Sequence, residues 1–297
     1  MRATIQFCTY NRAQLLERVL DACFEQTAPS DQYEVVLVDD GSSDATPEVI
    51  EASRRRATCR FVVVSQENAG LARARNAGIA RASGTRLIFI DDDVLPTPSF
   101  VAEHLLSHDA TPHAIVRGAV VNTESFDHLP APVWTPFNYS GNYFWTSNVS
   151  APLAKVRALG GFIESFREYG WEDIELGLRL RSAGTRAVFN PRALAFHYKP
   201  RPRASSVAGM VRQARAQGRT AAQLHSLHRH WRVVLATGDD PIRRTLHRLI
   251  RAVGIPRLLD RAVDAGGSDH VLSTGSLLAA RALAIEAYYE ELESARA

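Results

Sequence analysis

Cysteines and long apolar runs are scarce in this chain of 297 residues, and each scarcity argues against a class of protein. Its cysteines, Cys8, Cys23 and Cys59, lie far apart without a CxxC pair. This spacing argues against a disulfide framework or a zinc cluster and is typical of a reducing compartment. No stretch approaches the roughly 18 apolar residues of a membrane span. A strand-like segment starts at Ala3 and leaves no room for a signal peptide, so a cytoplasmic location is expected.

Net charge is also small, at +3, which does not by itself indicate nucleic-acid binding. We therefore expect no nucleic-acid partner. The positive charge concentrates in residues 201–297, which contain 15 arginines against 9 acidic residues. Within 243–251, arginines interleave with leucine and isoleucine as in a basic amphipathic helix, which could make peripheral contact with the inner face of a membrane. The preferred interpretation is a solvated basic face whose helix packs on the main domain.

The first hundred residues alternate apolar, β-branched runs with helical spacing of apolar residues. The strand-like runs are 3–8, 34–38, 60–64 and 87–90. This alternation predicts parallel strands joined by right-handed crossovers. The third helical pattern, 71–81, is expected to end at Gly84 in the left-handed conformation.

Polar clusters follow three of these predicted strands. They are Thr9-Tyr10-Asn11-Arg12, Asp39-Asp40 and Asp91-Asp92-Asp93. In open α/β sheets, ligands bind beyond the carboxyl ends of the strands. The three clusters therefore predict one binding site on one rim of the sheet.

A second acidic cluster, Glu172-Asp173, follows Gly170-Trp171 and opens a helical pattern. Between the acidic clusters, residues 130–143 are rich in proline, asparagine and aromatics and read as a loop over the site, while 186–189 and 193–197 are strand candidates. Beyond residue 200 the pattern turns mostly helical. We expect a domain at 1–200, with a nucleotide-binding half at 1–100 and an acceptor-side half at 101–200, and a helical extension at 201–297.

The two acidic clusters suit the displacement of a nucleoside diphosphate from a sugar. Oxygen ligands favour Mg²⁺ or Mn²⁺, which bind through one or two carboxylates plus phosphate oxygens. Alternate residues at a strand end, Asp91 and Asp93, could supply a ribose contact and a metal contact. The downstream cluster could supply a carboxylate base for the acceptor hydroxyl.

The order of these motifs resembles family-2 glycosyltransferases of the GT-A fold. The segments that carry the resemblance are Cys8-Thr9-Tyr10-Asn11-Arg12, Val38-Asp39-Asp40-Gly41-Ser42, Asn68-Ala69-Gly70 through Ala74-Arg75-Asn76-Ala77-Gly78, Ile90-Asp91-Asp92-Asp93 and Gly160-Gly161-Phe162 to Glu172-Asp173-Ile174-Glu175-Leu176. The last is similar to the acceptor-side segment of chondroitin-polymerase-like and galactosyltransferase-like enzymes. The resemblance covers about residues 3–200 and implies an α/β fold, with a Rossmann-like, mostly parallel central sheet flanked by helices. It also implies an inverting, metal-dependent transferase in glycan or polysaccharide biosynthesis, with a UDP-sugar donor and a hydroxyl acceptor.

The resemblance also implies roles for the matching positions. Asp40 would accept a hydrogen bond from the base, commonly uracil, while Thr9 and Arg12 would line the base and phosphate pocket. The other implied donor-side residues are Arg75, Asn76, Asp91 and Asp92 for the nucleotide and sugar, and Asp93 for the metal. On the acceptor side, Asp173 would be the general base, Glu172 a contact to a sugar hydroxyl, and Trp171 a substrate contact.

His197 follows a short apolar run in Ala195-Phe196-His197-Tyr198. A lone histidine in such a place is more often a packed turn residue than a ligand. In metal-dependent relatives a histidine near this point completes the coordination sphere, so the resemblance implies that His197 binds Mn²⁺ or Mg²⁺ together with Asp93.

Two other functions remain open from the sequence. A sugar-nucleotide nucleotidyltransferase would use a related sheet, although its glycine-rich phosphate loop after the first strand is replaced here by Thr9-Tyr10-Asn11-Arg12. A non-catalytic sugar-nucleotide-binding protein would keep the pocket without the chemistry, although every acidic group that transfer needs is present.

Overall fold

The computed structural model describes residues 1–136, 142–256, 258–259 and 269–295. Contacts divide the chain into two units, the first containing Met1–Arg167 and Glu172–Pro200 and the second Glu168–Trp171 and Arg201–Ala297. No helix in these described ranges is both long and apolar enough to cross a lipid bilayer. The loop predicted at 130–143 lies partly outside the described residues, at 137–141.

The first unit is built on strands that alternate with helices along its first half. Its strands are β1 (Ala3–Thr9), β2 (Tyr33–Asp39), β3 (Arg60–Ser65), β4 (Arg86–Phe89), β5 (Val94–Pro96), β6 (Ile115–Thr123), β7 (Val149–Pro152) and β8 (Ala187–Tyr198). Its helices are α1 (Ala13–Phe24), α2 (Thr46–Arg54), α3 (Leu71–Arg81), α4 (Phe100–Ala110), α5 (Leu153–Ala158) and α6 (Glu172–Ser182).

These strands form one mixed sheet in the order β3-β2-β1-β4-β7-β6-β8-β5. The pairs β1–β2, β2–β3 and β1–β4 are parallel, as the alternation of strands and helices predicts. Strand β7 runs antiparallel to both β4 and β6, and β5 runs antiparallel to β8. The parallel half therefore brings the ends of β1, β2 and β4 to the same edge.

Apolar side chains cover both sides of the sheet. Consecutive residues of a strand point to opposite faces, and in β4 Ile88 belongs to one buried cluster while Leu87 and Phe89 belong to the other. Phe89 also makes edge-to-face contacts with Phe144 and Phe162. The site at the strand ends thus rests on a sheet that is packed on both faces.

Strand β8 is continuous where the sequence predicts two shorter strands. Gly118 of β6 pairs with Asn190 and Ala119 pairs with Leu194, so the register shifts at this point and leaves residues 191–193 of β8 without a partner in β6. A Cβ on Gly118 would lie 2.0 Å from the carbonyl oxygen of Ala193. Glycine is therefore required where the two backbones approach most closely.

Asn148 bridges this irregular point. Its side-chain Nδ2 donates to the carbonyl oxygens of Ala119 and Ala193, each at 2.9 Å. These two bonds identify which terminal atom is the nitrogen, and the other, Oδ1, is the acceptor. One buried side chain therefore joins β6, β7 and β8.

A directed chain of hydrogen bonds leads from Asn148 to two buried histidines of α4. Asn148 Oδ1 accepts from His104 Nε2 at 3.0 Å, so His104 Nδ1 accepts from the Ser150 hydroxyl at 2.8 Å. That hydroxyl in turn accepts from His108 Nε2 at 2.8 Å. Burial lowers the pKa of His104 to about 4 and that of His108 to about 3, which keeps both rings neutral as the chain requires.

Gly84 does not end α3 in the left-handed conformation, so that prediction is wrong. The helix ends at Arg81, and the following Ala82 has extended backbone angles. A Cβ on Gly84 would lie 2.3 Å from the carbonyl carbon of Ala3. Glycine is needed there for close approach to β1 and not for a helix cap.

The second unit is helical, which confirms the predicted helical C-terminal region. Its helices are α7 (Val207–Leu227), α8 (Trp231–Thr237), α9 (Pro241–Ala252) and α10 (Thr274–Ser294). A Cβ on Gly218 of α7 would lie 2.4 Å from the backbone of Tyr288 in α10. The lack of a side chain at 218 thus allows these two long helices to pack closely.

Candidate active site

Polar residues gather where β1, β2 and β4 end. Thr9, the last residue of β1, is paired in register with Asp39, the last of β2. The acidic triplet follows β4 after Ile90, whose backbone N–H donates to the Gln6 carbonyl of β1. The rim that the sequence predicts is therefore formed by adjacent strands.

A cavity of about 290 Å³ opens at this rim. It is lined by Cys8, Thr9, Tyr10, Arg12, Asp40, Asn68, Gly70, Leu71, Ala74 and Asp92. Four of the predicted donor-side residues, Thr9, Arg12, Asp40 and Asp92, are among them. Tyr10 is half exposed, at 49%, and offers a flat ring at the mouth.

Asp40 holds the loop that closes one side of this cavity. Its Oδ1 accepts hydrogen bonds from Gln66 Nε2 at 2.7 Å and from the backbone of Ala69 at 3.0 Å. Its Oδ2 accepts from the backbone of Gly70 at 3.1 Å. Asp40 thus shapes the cavity wall as well as facing its interior.

Asp92 lies between Thr9 and Arg12. The Thr9 hydroxyl donates to Asp92 at 2.8 Å, and Arg12 Nε lies 4.0 Å from it. Burial raises the pKa of Asp92 to about 7, although Arg12 and Thr9 act in the opposite direction. The cavity floor therefore carries a carboxyl group that binds a proton more readily than an exposed aspartate does.

Arg75 joins the two acidic clusters. Its buried guanidinium donates to Glu172 at 2.5 Å and to Asp91 at 3.2 Å. It also donates to the Thr146 hydroxyl at 2.7 Å and lies over the Phe162 ring. The sequence predicts Arg75 as a nucleotide contact, whereas the structure places it as the bridge between the carboxylates.

Asn76 faces away from the cavity. Its amide exchanges hydrogen bonds with the backbone N–H and carbonyl of Phe162, at 2.8 and 2.9 Å, and its Nδ2 also donates to Glu164. These bonds fix the segment that precedes the second acidic cluster. Asn76 is not among the residues that line the cavity, and its role in holding the nucleotide stays a prediction.

Asp93 and His197 face each other across β5 and β8, where Val94 pairs with His197. Their Oδ1 and Nε2 atoms lie 3.4 Å apart. Burial raises the pKa of Asp93, but His197, Arg12 and Lys199 together outweigh it and the net shift is downward. Asp93 is therefore held as a carboxylate beside the imidazole.

This pair fits a divalent cation with few protein ligands. An octahedral ion with ligands at roughly 2.1 Å holds neighbouring ligands about 3 Å apart, close to the observed separation. Nδ1 of His197 is buried and has no hydrogen-bond partner among the described residues. Within those ranges no group of three or more histidine, cysteine or acidic side chains is placed to hold a metal, so remaining ligands would have to come from a bound diphosphate or water.

Glu172 and Asp173 start α6. Oε2 of Glu172 is buried without a hydrogen-bond partner in the described part of the chain. Asp173 accepts from the backbone N–H of Ile174 at 2.7 Å and of Thr146 at 3.5 Å. Burial, followed by the nearby charge of Glu172, raises the pKa of Asp173 to about 7.

Trp171 belongs to the second unit by its contacts. Its backbone has a positive φ of 70°, which is rare for a residue with a side chain. Its indole Nε1 donates to the carbonyl of Gln217 at 2.9 Å. Its predicted role as a substrate contact stays a prediction.

Sequence reasoning missed the segment before β7. The Thr146 hydroxyl accepts a hydrogen bond from the Arg75 guanidinium, and the Thr146 backbone N–H donates to Asp173. The Ser147 hydroxyl donates to Asp91 at 2.5 Å. The available signal was three consecutive polar residues, 146–148, directly before the short strand β7. This segment positions carboxylates of both acidic clusters.

Sequence comparison gives a family match. A sequence model of the family described as Glycosyl transferase family 2 matches residues 4–167. Validoxylamine A glucosyltransferase of Streptomyces hygroscopicus subsp. jinggangensis is 32% identical over 212 residues, which cover 59% of this chain and 50% of that protein. The chain thus spans about half the length of the curated relatives it matches first.

Comparison of structures gives the fold. Mannosyltransferase PcManGT of Pyrobaculum calidifontis, in complex with GDP-Man and Mn²⁺, matches with a TM-score of 0.61 at 21% sequence identity. The match covers 99% of this chain and 86% of the mannosyltransferase chain. Residues 1–349 of TarS of Staphylococcus aureus, in complex with UDP-GlcNAc, match with a TM-score of 0.58 at 19% sequence identity. The match covers 100% of this chain and 92% of the TarS chain. These likenesses confirm the fold class that the motifs predict.

Proposed function

The chain belongs to glycosyltransferase family 2, and on that basis we propose that it transfers a sugar from a nucleoside diphosphate sugar to a hydroxyl acceptor. The observation that carries the proposal is the bridge made by Arg75. One guanidinium contacts both Asp91, at the donor rim, and Glu172, at the start of α6. The bridge links an acid of the donor rim to the cluster that contains the proposed base, Asp173, and transfer between two substrates needs both in one arrangement.

The cavity at the strand ends is the proposed site of the nucleotide. Asp40 would accept from the base, and Thr9 and Arg12 would flank the phosphates. Solved structures of the same fold hold UDP-GlcNAc or GDP-Man, which supports a nucleoside diphosphate sugar, and we propose UDP as the nucleotide. A glycan hydroxyl is the proposed acceptor.

Asp93 and His197 would hold Mn²⁺ or Mg²⁺. A divalent ion there would neutralise charge that develops on the leaving diphosphate. Asp93 is suited to this role because its pKa is shifted downward and it stays ionised. Arg12, whose guanidinium lies 3.9 Å from Asp93, would add positive charge on the same side of the phosphates.

Asp173 is the proposed general base. A carboxylate with a pKa near 7 can take the proton of an acceptor hydroxyl more effectively than an ordinary aspartate. Its partner Glu172 is held by Arg75, which leaves the free Oε2 of Glu172 for a sugar hydroxyl. One base on the acceptor side, without a covalent nucleophile, gives inversion by direct displacement.

Hydrolysis of sugar nucleotides tests the proposal before the acceptor is known. The protein is incubated with UDP-glucose, UDP-GlcNAc or GDP-mannose, with Mn²⁺ or with chelator, and the products are separated. We expect a nucleoside diphosphate to be released only with metal, and Asp93→Ala to need a higher Mn²⁺ concentration for the same release. The matched control is Asp31→Asn, an exposed aspartate away from the site. Release of pyrophosphate would show a nucleotidyltransferase instead, and no metal-dependent product would contradict the proposal.

A further inference from the structure

Helix α9 packs against α10 through its polar side. His247 hydrogen bonds to Glu286 of α10 and its ring stacks on Tyr289 with centroids 3.9 Å apart. Arg248 and Arg251 bond to Glu293 of α10 at 3.0 and 2.5 Å. The contacts that hold α9 to its neighbour are thus mainly ionic and aromatic.

The opposite side of α9 is an apolar stripe formed by Ile242, Leu246, Leu249 and, just beyond the helix end, Val253. Their spacing of four, three and four residues places them on one face. Ile242 is 81% exposed and Leu249 59% exposed. No residue of α9 is buried. The apolar side of α9 is therefore exposed, whereas the preferred expectation leaves only the basic face in solvent.

Helix α8 adds to the exposed apolar surface of the same unit. Trp231 and Leu235 lie four residues apart and are 60% and 68% exposed. The guanidinium of Arg232 lies over the Trp231 ring at 4.9 Å. Aliphatic side chains, an exposed tryptophan and arginines form the composition of helices that lie in the interface of a lipid bilayer.

We propose that the apolar stripe, with Trp231 and Leu235, docks the second unit onto an anionic lipid surface. Charge complementarity selects this occupant. Residues 201–297 carry 15 arginines against 9 acidic residues. Arg243 and Arg248 of α9 are paired with Asp240 and Glu293, but their side chains stay 58% and 65% exposed. Anionic headgroups attract such a surface, whereas a second copy of this chain would bring the same positive charge against it.

Vesicle sedimentation tests the docking. The full chain is mixed with vesicles of phosphatidylcholine, with or without phosphatidylglycerol, and the bound fraction gives a partition coefficient. We expect binding to the anionic vesicles that weakens with added salt, and a loss of at least about tenfold for the double variant Leu246→Asp/Leu249→Asp, since both side chains would leave the acyl boundary. The matched control is Leu106→Asp on α4 of the first unit, where Leu106 is 53% exposed. It should bind as the unchanged protein does.

Tryptophan quenching by brominated lipid locates the contact independently. Trp231 is one of four tryptophans, and Trp231→Phe should remove most of the quenching that vesicles cause while binding persists. Wild-type partitioning by the double variant, equal binding to neutral vesicles, or quenching retained in Trp231→Phe would each overturn the proposal. So would a dimer in vesicle-free buffer that the double variant converts to a monomer, since a second copy would then cover the stripe.

Discussion

Replacing Asp173 with asparagine should make the protein more stable and less active at the same time. The pKa of Asp173 is raised from 3.8 to about 7 by burial and by Glu172. A raised pKa means that the folded state binds the proton more tightly than the unfolded chain does. The resulting stability is fully present below about pH 4 and is lost as pH rises through about 7.

The size of the effect follows from the shift. The rise from 3.8 to about 7, at 1.36 kcal/mol per pKa unit, makes Asp173 cost about 4 kcal/mol of stability above pH 7 and about 2 kcal/mol near pH 5. Asparagine carries no charge and keeps an oxygen that can accept from Ile174. The stabilisation by Asp173→Asn should therefore be about 2–3 kcal/mol larger near pH 8 than near pH 5.

Thermal and urea unfolding of the metal-free protein at the two pH values measure this difference, which corresponds to a change in Tm on the order of 5 °C. Shifts from other groups, such as His104 and His108, are common to both proteins and cancel. Exposed Asp31→Asn is the control and should show no pH-dependent gain. In separate samples with Mn²⁺ added, UDP affinity should be kept while turnover falls by roughly 10²-fold or more. A stabilisation equal at both pH values would refute the assignment of a raised pKa to Asp173, and unchanged turnover would refute its role as the base.

Four further variants probe the metal pair, the bridge and the sheet. Asp93→Ala and His197→Ala should each raise the Mn²⁺ concentration for half-maximal sugar-nucleotide hydrolysis by about tenfold or more; a lower Tm with an unchanged metal requirement would mark either residue as structural. Arg75→Ala should lower the free energy of unfolding by about 3–5 kcal/mol because it leaves two carboxylates without their cation, and a urea titration that shows less than about 1 kcal/mol would contradict the bridge. Gly118→Ala should lower the free energy of unfolding by about 2 kcal/mol or more, since its Cβ would lie 2.0 Å from the Ala193 oxygen. A near-neutral result would mean that the backbones of β6 and β8 move apart there at little cost.

The sequence predicts the donor rim well because the relevant signals are local. Each polar cluster directly follows an apolar, β-branched run, and parallel pairing then places the run ends together. Thr9 and Asp92 were predicted separately and prove to be hydrogen bonded at 2.8 Å. Only the family resemblance predicted that Asp93 and His197 lie close together. The two residues are far apart in the chain and meet through the β5–β8 pairing.

Long-range partners could not be predicted in this way. Nothing near Arg75 in the sequence shows that its guanidinium reaches Glu172 and Thr146. Strand β5 has three residues and ends in a proline, too short a pattern for periodicity to identify. The periodicity of α9 correctly indicates two faces, but it carries no information on which face packs, and the ionic contacts with α10 decide that question.

The hydrogen-bond chain through Ser150 can be written in only one direction. Asn148 is fixed by two backbone carbonyls, so the tautomers of both imidazoles and the direction of the serine hydroxyl follow from it. The two Nε2 protons are buried in the sheet next to the segment that positions the carboxylates. We expect them to exchange with D₂O only when α4 and β7 separate, so their exchange rates, followed by imidazole NMR, would report how often this part of the fold opens.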